Sequence, residues 1–492
     1  MSGTVSHPPT LRFAAISLAV CALVNPGNFG TIDTVYRLQV ARWIRLGEAP
    51  AGDIGLTGGL IGKDGRRYPW YGIGQSLVLL PFDAISSATV APALRRMGLN
   101  AVKQRQGAEV CTAFLMQWLL TTGVLALAYR LLLGLGFTPF AGRAGSLALL
   151  FGTTCLQYVQ CAQENLLLLL LALMALVSVQ VAIRRWLRDG GAVWSMAAGA
   201  ACGFALLVRL TSTLEAAAIA LVAMCWGANQ KRFPAGFLPG FLLPMALAAL
   251  IDRWYHWYRF GEWFGTYMSV FGKQFRPPDA PASYPFSYPF WKGFLGTLFS
   301  PDKSVFLFDP LLLVLLAVVI LRWRQIGRDL RILLLGLTLL FFVYCGFYAR
   351  WMSFGGDVAW GHRFMTLPVQ LLCLLAVPLL LTYGSGLPRA LWALVIASVV
   401  LQAASTAISP QMEFQQKSMG YGKAVIWNRA VNLEQLATGR QEPARIAGIP
   451  IEWRSLNYLP FQLRFRFPGL ARWAILAWLG VLACLPWLVW RR

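Results

Sequence analysis

Charge is scarce in this chain of 492 residues, and acid is scarcest: 20 Asp and Glu stand against 43 Lys and Arg, with only 3 His. Charged residues make up 13% of the chain, against roughly 25% in soluble domains. With 57% hydrophobic residues and a mean hydropathy of +0.58, that scarcity excludes an ordinary soluble protein and predicts a polytopic membrane protein. Nine cysteines occur with no CxxC pair and no Cys/His ligand spacing, which argues against a disulfide framework or a zinc site. The stretch GGLIGKD is no phosphate loop, because Thr57 stands where the first Gly belongs and Asp64 replaces the Ser/Thr. Without another ATP signature, an ATP-driven pump is disfavoured. No internal repeat is visible. The net charge of +23 has no Lys/Arg cluster on a soluble fold to support nucleic-acid binding. It fits anionic headgroups, topology signals and a phosphate-bearing substrate instead.

What is present is a long series of apolar runs. They fall at 11–27, 109–132, 143–161, 164–183, 193–209, 212–229, 235–252, 305–321, 332–349, 364–383, 388–407 and 470–490, predicting an all-α fold with about twelve transmembrane helices. The pair 193–229 reads either as two short helices or as one re-entrant pair. The first run lacks a small-residue cleavage site and runs into Asn25-Pro26-Gly27, so it is read as a retained helix. The run 74–90 contains Pro81 and Asp83 and is read as a second interfacial helix rather than a span. Basic residues gather in one set of short loops, which assigns those loops to the cytoplasm. The connectors 28–108, 253–304, 350–363 and 408–469 then face outward together, although Arg95, Arg96, Lys103 and Arg105 cut against the rule, which a thirteenth span at 74–90 would explain. The expected organisation is a multi-pass catalytic region at 1–407, with 28–108 as its first outward loop, a small polar segment at 408–469 and a final helix at 470–492.

The first outward loop holds the most informative pattern. Thr31 can cap a helix in which Ile32, Val35, Tyr36, Val40 and Trp43 recur at three- and four-residue steps, with Gly47 as a stop. Arg37, Arg42 and Arg45 fill much of the rest, the pattern of a helix lying in the membrane interface. Asp33 stands in its first turn. There a carboxylate either favours the helix dipole or serves as a general base. Glu164 opens a very apolar helix, as an interface anchor or as a second carboxylate on the same outward face. Arg209 interrupts apolar sequence, either snorkelling or binding a lipid phosphate with its forked donors. The segment 252–267, DRWYHWYRFGEWFGTY, reads as an aromatic belt or as sugar or isoprenoid contact that includes Arg259. Lys303, Asp357, His362 and Arg363 border outward helix ends, where His362 is more simply an interface histidine than a metal ligand. Arg67 and Tyr68, in the Asp64–Tyr68 turn, complete the candidate substrate contacts.

An outward-facing site has no ATP or sugar nucleotide, so synthesis there needs a donor delivered through the membrane. A lipid-linked phospho-sugar is such a donor. Its phosphate leaves as a stable anion, so one carboxylate base suffices where most glycoside hydrolases use two carboxylates. The sequence offers such a base in Asp33, with Arg209, Lys303 and Arg363 as candidates for the phosphate.

On these residues the chain resembles the integral-membrane GT-C glycosyltransferases, the superfamily of protein O-mannosyltransferases and the lipid A aminoarabinose transferase. The matching pieces are the acid after the first span (Asp33-Thr-Val-Tyr36), DGRRYPWYGIGQSLVLLPF, Glu164, WYRFGEWFGTY, LFSPDKSVFLFDP and WMSFGGDVAWGHRF. The resemblance implies an inverting transferase using a polyprenyl-phosphate sugar, with Asp33 as the catalytic aspartate and 74–90 juxtamembrane. Where aminoarabinose transferases carry a Glu/Lys-Pro pair, this chain has Tyr68-Pro69-Trp70, so donor identity does not carry over. The expected protein is a cytoplasmic (inner) membrane glycosyltransferase, hexosyl or pentosyl, acting on a glycan, lipid or protein acceptor, in contact with membrane lipids and with no nucleic acid. Asp33 and Glu164 could together hold Mg²⁺ or Mn²⁺, although no ligand spacing demands it. The rival readings are a secondary transporter or lipid-linked-sugar flippase, and a non-catalytic scaffold.

Overall fold

The computed structural model describes residues 10–52, 59–185, 191–230, 236–356, 359–420, 424–440, 451–452, 455–466 and 468–490. Asp357, among the expected outward polar residues, lies outside them. Among the described residues the architecture is all-α, with one two-stranded antiparallel hairpin that pairs Gly59–Ile61 with Arg67–Pro69. Among the described residues, ten helices are long and apolar enough to cross a membrane. Thr10–Val24 is a shorter apolar helix of 15 residues.

The difference from twelve has local causes. The run 143–161 breaks at Gly152 into Pro139–Phe151 and Cys155–Gln160, and neither piece is span-length. Asp309-Pro310 divides 305–321 into Val305–Phe308 and Leu311–Arg322, because proline cannot donate to the preceding turn. The 193–229 region forms two separate helices, Gly191–Val208 and Ser212–Asn229, and the three residues between them carry Arg209. Gly74–Arg96 is a single helix of 23 residues despite Pro81 and Pro92, and its length and composition would let it cross. Its Asp83 meets Arg42 at 2.9 Å and Arg45 at 3.2 Å of the first-loop helix, its Gln75 donates to the Ala162 carbonyl at 3.0 Å, and Arg42 in turn reaches Glu109 at 2.9 Å.

The first-loop helix runs Ile32–Leu46. Thr31 caps it from an extended backbone, its hydroxyl accepting from the Asp33 amide, and Gly47 ends it at φ +71°. Its buried side coincides with the predicted stripe only at Val40. Ile32 is exposed, whereas Thr34, Arg37, Leu38, Val40 and Ala41 are buried. A basic residue is thus turned inward, one turn after Asp33.

The polar segment after residue 408 docks on the loops that flank the site. Arg429, 2% exposed, pairs with Glu413, donates to the Ile408 carbonyl at 2.9 Å and stacks over Trp360 at 4.6 Å. Lys417 reaches Asp302 at 2.7 Å.

Candidate active site

Five charged side chains from four parts of the chain converge. Asp33 and Arg37 come from the first-loop helix, one turn apart and therefore on one face. Glu164 stands immediately before Asn165–Arg185, where its carbonyl accepts from the Leu168 amide at 2.9 Å. Arg209 sits in the break between two helices, and Arg363 follows the loop before Thr366–Cys373.

Glu164 is the hub. Its side chain is 2% exposed and is met by Arg37 at 2.7 Å, by Arg209, and by Arg363 at 3.4 Å. A carboxylate this buried survives only if paired, and three guanidinium groups pair it. Burial pushes its carboxyl up, but Arg37, Arg209 and Arg363 outweigh that and hold it well below the usual range. It is therefore an organiser of arginines rather than a free second carboxylate.

Asp33 is more open, at 15% side-chain exposure. Arg363 meets one oxygen at 2.6 Å and the Tyr71 hydroxyl donates to the other at 2.7 Å. Burial pushes its carboxyl up. Arg363, Arg37 and the Tyr71 hydrogen bond outweigh that, together with the opposing push from Glu164, and hold Asp33 below the usual carboxylate range. Tyr71 is itself fixed by Arg37, whose guanidinium lies 4.1 Å from the ring centre. Burial and the neighbouring Asp33 keep its phenol protonated well past the usual range, so it acts as a donor here.

These groups open into a cavity of about 500 Å³. Asp33, Arg37, Tyr71, Glu164, Arg209 and Arg363 form its polar floor, where three guanidinium groups exceed two carboxylates by one charge. The other walls are largely aromatic and apolar, including Trp70, Met268, Phe271, Phe286, Phe347, Trp351 and Phe364. The Nε–H groups of Arg37 and Arg363 find no acceptor among the described residues, which leaves donor capacity for an anion.

No protein-family model matches the chain. No curated protein matches it either. Among solved structures it is similar to "ArnT from Cupriavidus metallidurans bound to Undecaprenyl phosphate", with 14% sequence identity and a TM-score of 0.44 over 97% of this chain and 76% of that one. So remote a likeness leaves the function to be read from the site itself.

Asp33, Glu164, Arg209 and Arg363 thus meet in one cavity, but the other candidates do not line it. The Lys303 ammonium donates to the carbonyls of Ala359 at 2.7 Å and Gly361 at 3.1 Å, supporting the loop that leads to Arg363. His362 is 3% exposed, with Nε2 3.1 Å from the Thr297 hydroxyl. Burial and Lys303 push its imidazole down to about 3, so it stays neutral at working pH. Tyr68 is buried and donates to Asp64 at 2.8 Å. Arg67 sits in the hairpin, and Arg259 donates to main-chain carbonyls. Both carboxylates face guanidinium groups, and among the described residues no three His, Cys, Asp or Glu side chains converge as a metal site would require. The donor set present suits an anion better than Mg²⁺ or Mn²⁺.

Sequence reasoning missed Arg37 and Tyr71. The four-residue spacing of Asp33 and Arg37 was the available signal for the first. Nothing local marks Tyr71, because it reaches Asp33 across 38 residues.

Proposed function

We propose that this protein is an inverting glycosyltransferase of GT-C type, moving a sugar from a polyprenyl-phosphate donor to an acceptor hydroxyl on the extracytoplasmic side of the cytoplasmic membrane. The observation that carries this reading is a single chamber with a partly exposed carboxylate on an arginine floor and aromatic walls. An anionic head and an apolar chain fit such a chamber together. Arg209, Arg363 and Arg37 bind the donor phosphate through charge-assisted hydrogen bonds. Asp33 takes the proton of the acceptor hydroxyl as its oxygen attacks the anomeric carbon. The bond from that carbon to the phosphate oxygen breaks, and polyprenyl phosphate leaves as an anion stabilised by the same guanidinium groups. Attack from the face opposite the phosphate inverts the anomeric centre.

Arg363 has a double part in this scheme. Without donor it neutralises Asp33, which makes the carboxylate a weak base. A phosphate that draws Arg363 toward itself frees Asp33, so the base gains strength when the donor is in place. The acceptor is a glycan, lipid or protein hydroxyl, and the sugar is a hexose or pentose.

The test is transfer of radiolabel in proteoliposomes containing the purified protein and polyprenyl-phosphate sugars. Label on an acceptor with release of polyprenyl phosphate supports the reading. Donor that crosses the bilayer with its sugar bond intact would instead identify a flippase.

A further inference from the structure

Tyr71 orients Asp33, but Tyr71 lies in a strap with little secondary structure of its own. After the hairpin strand Arg67–Pro69, the chain crosses Trp70 to Ile73 before Gly74–Arg96 begins. Main-chain polar groups in such a strap need partners when buried. Arg259 supplies them from the last turn of Phe237–Phe260: its Nη1 donates to the carbonyls of Pro69 at 2.6 Å and Tyr71 at 3.1 Å. Its guanidinium is 2% exposed and lies 4.0 Å from the Tyr255 ring centre and 4.9 Å from that of Phe260. The nearby acid Asp252 is taken by Arg253 at 2.5 Å. Arg259 thus spends Nη1 on the strap while its Nε donates to the Tyr255 carbonyl of its own helix at 3.4 Å, and the Lys63 amide ties the hairpin back to the Arg259 carbonyl at 3.0 Å. On the other side, a Cβ at Gly72 would collide with the Leu207 carbonyl oxygen, so the strap lies flush on the end of Gly191–Val208.

One residue therefore connects Arg259 to the carboxylate: Tyr71 is held by its carbonyl and presents its hydroxyl. We propose that Arg259 is a positioning residue, clamping the Pro69–Tyr71 main chain so that the Tyr71 hydroxyl stays on Asp33 and sets its basicity and aim. The catalytic consequence rests on Asp33 being the base of the transfer proposed above; the clamp itself does not. The groups facing Asp33 are Arg37 from its own helix, Tyr71 from the strap, Cys161 and Glu164 from the segment before Asn165–Arg185, and Arg363. Of these, Tyr71 is the one whose main chain Arg259 holds.

The experiment compares purified wild type, Tyr71→Phe, Arg259→Ala, Arg259→Lys and the Tyr71→Phe/Arg259→Ala double variant. Carbodiimide modifies protonated carboxyls, so the pH midpoint of Asp33 labelling, read by peptide mass spectrometry, reports its ionisation without any need for turnover. Losing the Tyr71 hydrogen bond moves that midpoint up by about one pH unit. Tyr71→Phe and Arg259→Ala are each expected to show this rise, the double variant no more than either, and Arg259→Lys a smaller one. In transfer assays kcat falls about ten- to a hundredfold in Arg259→Ala, with donor KM little changed. If Arg259→Ala does not accumulate in membranes, Arg259→Gln, which keeps one donor for one carbonyl, carries the same expectation at reduced size.

An unmoved midpoint in the Arg259 variants, or effects of Arg259→Ala and Tyr71→Phe that simply add, would overturn the clamp. So would a raised donor KM with kcat intact, which would make Arg259 a phosphate contact. If wild type transfers no sugar, the glycosyltransferase reading falls, and the labelling arm still decides the clamp.

Discussion

Replacing Glu164 with glutamine is the sharpest perturbation of the arginine floor. The substitution keeps the shape of the side chain and removes its charge. At a typical near-surface dielectric, each pair at salt-bridge distance is worth about 4 kcal/mol before desolvation. Glu164 makes such contacts with Arg37, Arg209 and Arg363. Desolvation of two buried and two partly buried ions cancels much of that sum, and measured costs of removing one partner from a buried pair are about 3–5 kcal/mol. A glutamine retains one carbonyl acceptor and turns an NH₂ toward guanidinium donors, so it recovers little. Glu164→Gln should therefore lose about 3–5 kcal/mol of unfolding free energy, measured by SDS titration in mixed micelles. Its three arginines would be left with Asp33 as their carboxylate partner in the floor. Added inorganic phosphate should then raise thermal stability more in the variant than in wild type. A variant within about 1 kcal/mol of wild type, with no larger response to phosphate, would refute the claim that Glu164 organises the floor.

Three further outcomes follow from the same geometry. Because Asp33 sits below its ordinary 3.8, the carboxylate and the activity it supports persist above that value and are lost as pH falls through the lower one. The acid limb of kcat/KM for donor should thus lie below pH 3.8, and that of kcat higher, since bound phosphate draws Arg363 away. His362 is depressed from 6.5 to about 3, so folded stability is full above 6.5 and declines as pH falls toward 3. His362→Gln should flatten that acid decline in a melting-temperature series. Arg429→Ala removes one half of the buried pair with Glu413 and the stack on Trp360, and should lower stability by about 3–5 kcal/mol while increasing proteolysis within 408–440.

Much of the fold was legible because apolar runs of span length state themselves, and the cap of the first-loop helix was readable from Thr31 and Gly47. Breaks at Gly152 and Asp309-Pro310 were harder, since hydropathy windows average over them. For the site, carboxylates and arginines stranded beside apolar sequence were conspicuous by their cost, which is why Asp33, Glu164, Arg209 and Arg363 could be named. Their pairing was not legible: Glu164 and Arg363 meet across 199 positions. Lys303, Arg259, Tyr68 and His362 carry the same residue chemistry but spend it on carbonyls, Asp64 or Thr297. Sequence alone does not distinguish a cation that holds a loop from one that holds a ligand.

The central claim is tested most directly by Asp33→Asn in a purified, donor-loaded transfer assay. With Asp33 as the base, turnover falls by about 10²–10⁴-fold while polyprenyl-phosphate binding and membrane folding are retained. Near-wild-type turnover by that variant would contradict the account.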